Sequence, residues 1–237
     1  MANPQRLRYR SRVTEAFPFL NPLNAIPGVR AAWIERIADF PVTCERREAM
    51  ELLRPWHQAA VSNFASHATL ARAEQIHGVK VAVVPGSPVI PASDGLPVVP
   101  GADALICLEP GVVLAIYVAD CGPIWLADRR TGAIGLVHSG RKGTEGNILE
   151  NSLAMMRTRF GTCAAEVTAV LGPCIRPPDY DSDFAAEIGR QACAAGITDF
   201  HDCGLNTAAD LTRFYSYRRE KGKTGRMMAL IVRDFPT

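Results

Sequence analysis

One cysteine and two histidines are the residues of this sequence best suited to chemistry: Cys121, His138 and His77. A thiolate and imidazoles are preferred zinc ligands, and three protein ligands with an open fourth position are typical of a catalytic zinc site. His77 precedes Gly78 at the start of a β-branched run, where the backbone can approach a site closely. These residues predict a divalent metal site.

A predicted hairpin places two of these residues side by side. If residues 128–133 close the hairpin, antiparallel pairing sets Pro123 opposite His138. Gly122 and Pro123 interrupt the strand after Cys121, so the thiol is expected to project from the strand end. Cys121 and His138 are therefore expected to face one cleft.

The same residues allow readings that need no metal. Cys121 with His138 as general base would form a nucleophilic dyad. A single cysteine or histidine is also often an ordinary packing residue. Asp120 is a candidate for proton transfer or for supporting a ligand, with a turn cap as the alternative. Asp103 is a weaker candidate of the same kind.

A glycine-rich segment after His138 could bind an anion. Ser139, Arg141 and Lys142 lie in this segment, directly before a helix that the pattern predicts to begin near Thr144. Backbone N–H groups at a helix N-terminus attract phosphate, and the two cations would add to that attraction. A solvated helix cap with two surface charges is the structural alternative.

Composition limits the classes of protein and partner. The 237 residues are 48% hydrophobic, enough for one substantial core, and the net charge of +2 provides no basic field for nucleic acid. Seven cysteines without a Cys-x-x-Cys pair indicate reduced thiols. No apolar run has the length of a secretory signal or a membrane span. We expect a cytoplasmic protein with a small-molecule substrate.

The elements that must position these residues alternate along the chain. Residues 1–43 are irregular in pattern, although residues 29–40 could hold a short helix or strand. Residues 45–74 have a helical composition and predict two helices with a break before Pro55. Residues 85–101 resemble a surface loop with the length of a lid. Strands are predicted at 79–84, 104–108, 112–118, 124–127, 133–137, 167–171 and 227–232, and helices at about 145–160 and 182–194. This order predicts an α/β or α+β domain with mixed sheets.

Five short motifs occur in an order that resembles a known family. They are Gln75-Ile76-His77-Gly78, Ala119-Asp120-Cys121-Gly122-Pro123, His138-Ser139-Gly140, Gly172-Pro173-Cys174-Ile175, and Phe214-Tyr215-Ser216-Tyr217-Arg218-Arg219 with Thr224-Gly225-Arg226. Together they resemble the laccase-domain, or YfiH-like, family, also called multicopper polyphenol oxidase. The resemblance extends from about residue 75 to the C-terminus.

The resemblance implies a YfiH-like fold in which residues 44–237 form the metal-binding catalytic domain and residues 1–43 pack on it. It implies a metal on His77, Cys121 and His138, and phosphorolysis of adenosine, inosine, guanosine and methylthioadenosine. Deamination of adenosine is an implied companion activity. The expected cofactor is zinc, with copper as an alternative occupant.

Alternative functions stay open. The dyad of Cys121 and His138 would make a cysteine hydrolase or amidase, for which the resemblance implies the editing of peptidoglycan precursors. The resemblance also implies a copper-dependent polyphenol oxidase, and a non-enzymatic binding module is a further class. The oxidase ranks lower because several copper ions need many histidines and the chain has five. One departure concerns the anion loop, where Arg141 and Lys142 replace the family's usual Trp and Arg, and lysine lacks the planar fork of arginine.

Overall fold

The computed structural model describes residues 17–92 and 96–235. The strands are β1 (Val29–Ile34), β2 (Thr69–Arg72), β3 (Val81–Val83), β4 (Ile90–Pro91), β5 (Pro97–Val98), β6 (Ala104–Cys107), β7 (Val112–Val118), β8 (Gly122–Asp128), β9 (Ile134–Ser139), β10 (Val167–Leu171), β11 (Asp199–Asp202) and β12 (Met227–Arg233). The α-helices are α1 (Asn21–Asn24), α2 (Arg46–Phe64), α3 (Arg141–Glu145), α4 (Ile148–Phe160) and α5 (Phe184–Ala194), with short 3₁₀ helices at Pro18–Leu20 and Ala164–Glu166.

Two mixed sheets form the centre of the domain. One has the strand order β1-β12-β7-β2 and the other the order β11-β10-β8-β9-β6-β3, while β4 and β5 form a small separate pair. Three pairs of strands are parallel, namely β2 with β7, β3 with β6 and β10 with β11. The expectation of a mixed α/β fold with several sheets is confirmed.

The six-stranded sheet lies between the four-stranded sheet on one face and helices on the other. Trp125 of β8 is fully buried between the sheets, and its Nε1 donates a hydrogen bond to the carbonyl oxygen of Leu230 in β12 at 2.9 Å. On its other face the six-stranded sheet contacts α4 and α5 through buried side chains such as Met156 and Ile188. The apolar runs of the central strands are therefore covered on both sides, as their continuous hydrophobicity predicts.

The hairpin that governs the site has the expected register. Pro123 pairs with His138 in the antiparallel β8–β9 ladder, and Gly122 pairs with Ser139. Asp128 stabilises the turn, because its Oδ1 accepts hydrogen bonds from the amides of Arg130 and Thr131. This turn fixes which residues of the two strands meet at the far end.

Several predicted helix boundaries are wrong. Residues 45–74 form the single helix α2 with Pro55 inside it, followed by β2, instead of two helices. Burial of Ala49, Leu53 and Ala60 on one face provides packing energy that offsets the lost backbone hydrogen bond. The helix expected near Thr144 is divided into α3 and α4, because Asn147 adopts a left-handed conformation and caps α4 by accepting a hydrogen bond from the amide of Glu150.

The remaining differences concern the N-terminal segment, the strand predicted at 79–84 and the loop predicted at 85–101. In the segment 1–43, residues 1–16 lie outside the described residues, whereas β1 pairs antiparallel with β12 within the four-stranded sheet. The expected strand at 79–84 is shorter, as β3, and the loop 85–101 contains β4 and β5; residues 93–95 also lie outside the described part. None of the described helices is long and apolar enough to cross a bilayer.

Candidate metal centre

Three separate segments bring His77, Cys121 and His138 together. His77 lies between β2 and β3, Cys121 lies in the turn between β7 and β8, and His138 lies in β9. One ligand atom from each residue lies within 4.8 Å of those of the other two, and the two imidazole rings are 4.9 Å apart. His77 is exposed and Cys121 is half-buried, so the cluster opens to solvent.

Unusual backbone conformations aim these side chains. Gln75 and His77 both have φ of 63°, and Asp120 has φ of 87°, in the left-handed region that non-glycine residues rarely adopt. The Gln75 amide clamps its segment to β7, since it donates to the carbonyl oxygen of Tyr117 at 2.6 Å and accepts from the Tyr117 amide at 2.8 Å. Such strained positions, held by surrounding bonds, are typical of functional sites.

Asp103 connects the two histidines. Nδ1–H of the buried His138 donates to Asp103 at 2.9 Å, and the same carboxylate accepts hydrogen bonds from the amides of His77 and Gly78 at 2.9 and 2.8 Å. Burial opposes ionisation of Asp103, but these bonds outweigh it and lower its pKa. Nδ1 of His138 is thereby engaged, which leaves Nε2 to face the cluster.

Asp120, which sequence reasoning placed ahead of Asp103, has a different environment. Its buried carboxylate accepts hydrogen bonds from Thr207 Oγ1 at 2.7 Å, Ser216 Oγ at 3.1 Å and the Arg218 amide at 2.7 Å. Burial raises its pKa in spite of these bonds. Asp120 therefore ties two later segments to the Cys121 turn.

The contact between Asp103 and His138 could not be predicted from their positions in the sequence, because it depends on the pairing of β6 with β9.

The cluster is electrostatically coupled. Burial alone would raise the pKa of the Cys121 thiol, but the charge and hydrogen bond of His138, with a contribution from His77, lower that pKa to about 6. Burial would lower the pKa of His138, whereas Cys121 and Asp103 raise it to about 9. Each group therefore stabilises the charged form of the other, which favours a thiolate beside an imidazolium when no metal is bound.

The donor set fits a metal ion. One thiolate and two imidazoles match the three-ligand arrangement of catalytic zinc, and the bond from His138 to Asp103 is the outer support that such ligands usually have. Gly140 is part of this fit, because a Cβ at its position would lie 2.6 Å from the Cys121 sulfur. No other group of three or more His, Cys, Asp and Glu ligands occurs among residues 17–92 and 96–235.

The residues predicted to bind phosphate are partly engaged elsewhere. Arg141 Nε pairs with Glu145 at 2.9 Å, and Nη1 lies 3.8 Å from Asp181. The hydroxyl of Ser139 is buried against that of Thr144 at 2.8 Å. Lys142 is exposed. The segment follows His138 as expected, but it begins the helix α3, which has only five residues and so a small dipole.

Comparisons with known proteins agree with the fold and the motifs. The family model described as multi-copper polyphenol oxidoreductase laccase matches residues 47–185 and 179–234. A purine nucleoside phosphorylase from Deinococcus radiodurans is 36% identical over 202 residues, which cover 73% of this chain and 73% of that protein.

Solved structures of relatives have the same fold. The crystal structure of YlmD from Geobacillus stearothermophilus superposes with a TM-score of 0.74 at 23% identity, covering 89% of this chain and 93% of that one. A hypothetical protein YfiH from Bacillus licheniformis superposes with a TM-score of 0.71 at 21% identity, covering 86% and 92%. This chain therefore belongs to the multi-copper polyphenol oxidoreductase laccase family, which includes the YfiH-like proteins.

Proposed function

We propose that the protein is a zinc-dependent purine nucleoside phosphorylase acting on adenosine, inosine, guanosine and methylthioadenosine. The observation that carries the proposal is the convergence of His77, Cys121 and His138 within 4.8 Å, in a chain whose relatives are named purine nucleoside phosphorylase. The proposed partners are a nucleoside and inorganic phosphate. Deamination of adenosine at the same site is a proposed companion activity.

The proposed reaction exchanges one bond at the sugar for another. An oxygen of hydrogen phosphate forms a bond to C1′ of the ribose as the bond from C1′ to the purine nitrogen breaks. The base leaves with the electron pair of that bond, and the proton of hydrogen phosphate ends on the base. Positioning of the two reactants and stabilisation of the departing base are the main demands on the protein.

The residues of the site would meet these demands together. Zinc, when bound, supplies Lewis acidity at the mouth of the cluster. Asp103 holds His138 in one tautomer and fixes the backbone of His77, so both imidazoles remain aimed at one point. Asp120 fixes the Cys121 turn through Thr207 and Ser216. Copper is an alternative occupant of the same ligands.

The test measures metal content and phosphorolysis on the same samples. Wild-type protein is expected to contain one zinc per chain and to release hypoxanthine from inosine only when phosphate is present. Cys121→Ala is expected to lose both properties, whereas Cys193→Ala, which changes an exposed cysteine, keeps both. Base release by metal-free protein would overturn the proposal, and inosine formation from adenosine without phosphate tests the deaminase activity.

A cysteine hydrolase or amidase is the second candidate. The thiolate–imidazolium character of Cys121 and His138 favours it, because this pairing activates cysteine nucleophiles. Peptidoglycan precursors belong to the substrates proposed for this alternative. His77→Ala separates the candidates, since a metal enzyme would lose metal and activity together, while a dyad enzyme would retain part of its amide hydrolysis.

A further inference from the structure

We propose that Arg226 and Arg46 bind the inorganic phosphate that attacks the nucleoside, beside Cys121. This inference rests on the proposed phosphorolysis and names its phosphate subsite. It assigns the anion to a different part of the cleft from the segment that contains Arg141 and Lys142.

The strand register places Arg226 near the metal cluster. Met227, the first residue of β12, pairs with Val118, the last residue of β7, in an antiparallel ladder. The residue before β12 must therefore lie beside the chain that leaves β7, which is the turn containing Cys121. The carbonyl oxygen of Arg226 lies 3.1 Å from Nε2 of His57 in α2, so the backbone is held at this point.

The guanidinium of Arg226 is available to an anion. Its Nη1 donates to the backbone carbonyl oxygens of Thr224 at 3.0 Å and Gly225 at 2.8 Å, and its central carbon lies 6.0 Å from the ring centroid of Tyr217. Within residues 17–92 and 96–235, no carboxylate forms an ion pair with this guanidinium. Arg226 is partly exposed, so a solvent ion can reach it.

Arg46, the first residue of α2, lies against the segment that leads to His77. Its guanidinium donates to the carbonyl oxygens of Glu74 at 3.0 Å and Gln75 at 3.4 Å, directly before His77. It too makes no ion pair with a carboxylate in the described part of the chain. Arg46 therefore lies on the segment that leads to His77, and Arg226 lies beside the Cys121 turn. The hydrogen bonds of both guanidinium groups go to backbone carbonyl oxygens.

The two positive charges act on each other. Burial and the charge of Arg46 lower the pKa of Arg226 to about 10, while the opposite influence of Cys121, Tyr217 and Asp120 is smaller. Arg226 is still protonated at neutral pH, and among residues 17–92 and 96–235 neither it nor Arg46 has an ion-paired carboxylate to offset this repulsion. A phosphate dianion would relieve this repulsion, and guanidinium groups match its oxygens with paired hydrogen bonds.

The competing loop is less suited to the role. Arg141 already pairs with Glu145 and approaches Asp181, and its side chain is 52% exposed. A bound phosphate would have to compete with these two carboxylates for the Arg141 guanidinium, whereas Arg226 and Arg46 have no such competitor in the described part of the chain. The geometry therefore favours the pair Arg226 and Arg46.

Steady-state kinetics of zinc-loaded variants test the inference. Arg226→Gln and Arg46→Gln are each expected to raise the KM for phosphate at least tenfold while changing the KM for inosine less than twofold and leaving zinc content intact. Arg226→Lys should recover part of the affinity, which a purely structural role would not predict. Arg190→Gln, which removes an exposed charge paired with Glu187, is the matched control and should match wild type.

Direct binding of inorganic phosphate, measured by calorimetry on the zinc-loaded protein, separates this inference from the proposed function. Phosphate binding that Arg226→Gln weakens supports the subsite even if wild-type protein shows no phosphorolysis. Phosphorolysis with an unchanged KM for phosphate in both arginine variants would overturn the subsite and leave the proposed function standing. A rise in that KM in Arg141→Gln alone would also overturn it.

Discussion

Nδ1 of His138 lies 2.9 Å from the carboxylate of Asp103, and this carboxylate also accepts a hydrogen bond from the backbone amide of His77 at 2.9 Å. One buried side chain thus orients two of the three candidate metal ligands. It connects β6, which Asp103 precedes, to β9 and to the segment before β3. The site is therefore preorganised by the sheet that carries it.

Asp103→Asn is expected to weaken zinc binding by about 10- to 100-fold, because loss of an outer-shell carboxylate has effects of this size. The amide also presents an N–H group where three donors converge. Competition with a chromogenic chelator measures the change. Asp199→Asn, which alters a partly exposed carboxylate on β11, is the control and should bind zinc like wild type. Equal affinities in both variants would contradict the role of Asp103.

Trp125→Ala is expected to destabilise the fold by about 3–5 kcal/mol, because it leaves a cavity between the sheets. Trp125→Phe should cost less, since most of the ring remains, although the carbonyl of Leu230 loses its donor. Urea unfolding followed by circular dichroism measures both changes. A loss below about 1 kcal/mol in the alanine variant would contradict this role.

Local sequence information was sufficient for the long buried strands and for placing Cys121 beside His138, but not for β2, which lies where a helix was expected, or for β11. Continuous apolar runs identify buried strands, and the turn at Asp128 fixes the register that sets Pro123 opposite His138. His77 was proposed as the third ligand from its place before Gly78 at the start of a predicted strand, and the family motifs include it. The division between α3 and α4 was missed although Gly146 and Asn147 interrupt the pattern there, because the spacing of apolar residues continues across them.

Contacts between distant segments could not be read from local patterns. Whether Asp103 or Asp120 contacts the histidines depends on which strands pair. The residues next to each aspartate in the sequence do not contain that information. Pro55 illustrates the same limit, because its helix-breaking tendency is outweighed by the burial of one face of α2 on the core. Arg46 and Arg226 are 180 residues apart in sequence, and only the tertiary structure brings α2 to Arg226, through the contact of His57 with its carbonyl oxygen.

Gly140→Ala is expected to lower zinc binding at least tenfold with little loss of fold stability. The backbone φ of −95° permits alanine, but the new methyl group would lie 2.6 Å from the Cys121 sulfur and displace it. Gly189→Ala is the matched control, since the nearest atom there is 3.6 Å away and the residue lies inside α5. The control should keep zinc and gain about 0.5–1 kcal/mol of stability. Unchanged zinc affinity in Gly140→Ala would contradict the crowded position of the sulfur.

Cys121 in metal-free protein is expected to react with iodoacetamide at half its maximal rate near pH 6, because His138 and His77 lower its pKa to about 6. A lowered thiol pKa means that the reactive thiolate persists as pH falls, and it is lost only below that value. Free cysteine, with a pKa of about 8.5, is the reference. His138→Ala should move the midpoint upward, and added zinc should slow labelling of the wild type. Peptide mass spectrometry at pH 5 to 9 follows the modification, and a midpoint above pH 8 in wild type would contradict the coupling between Cys121 and His138.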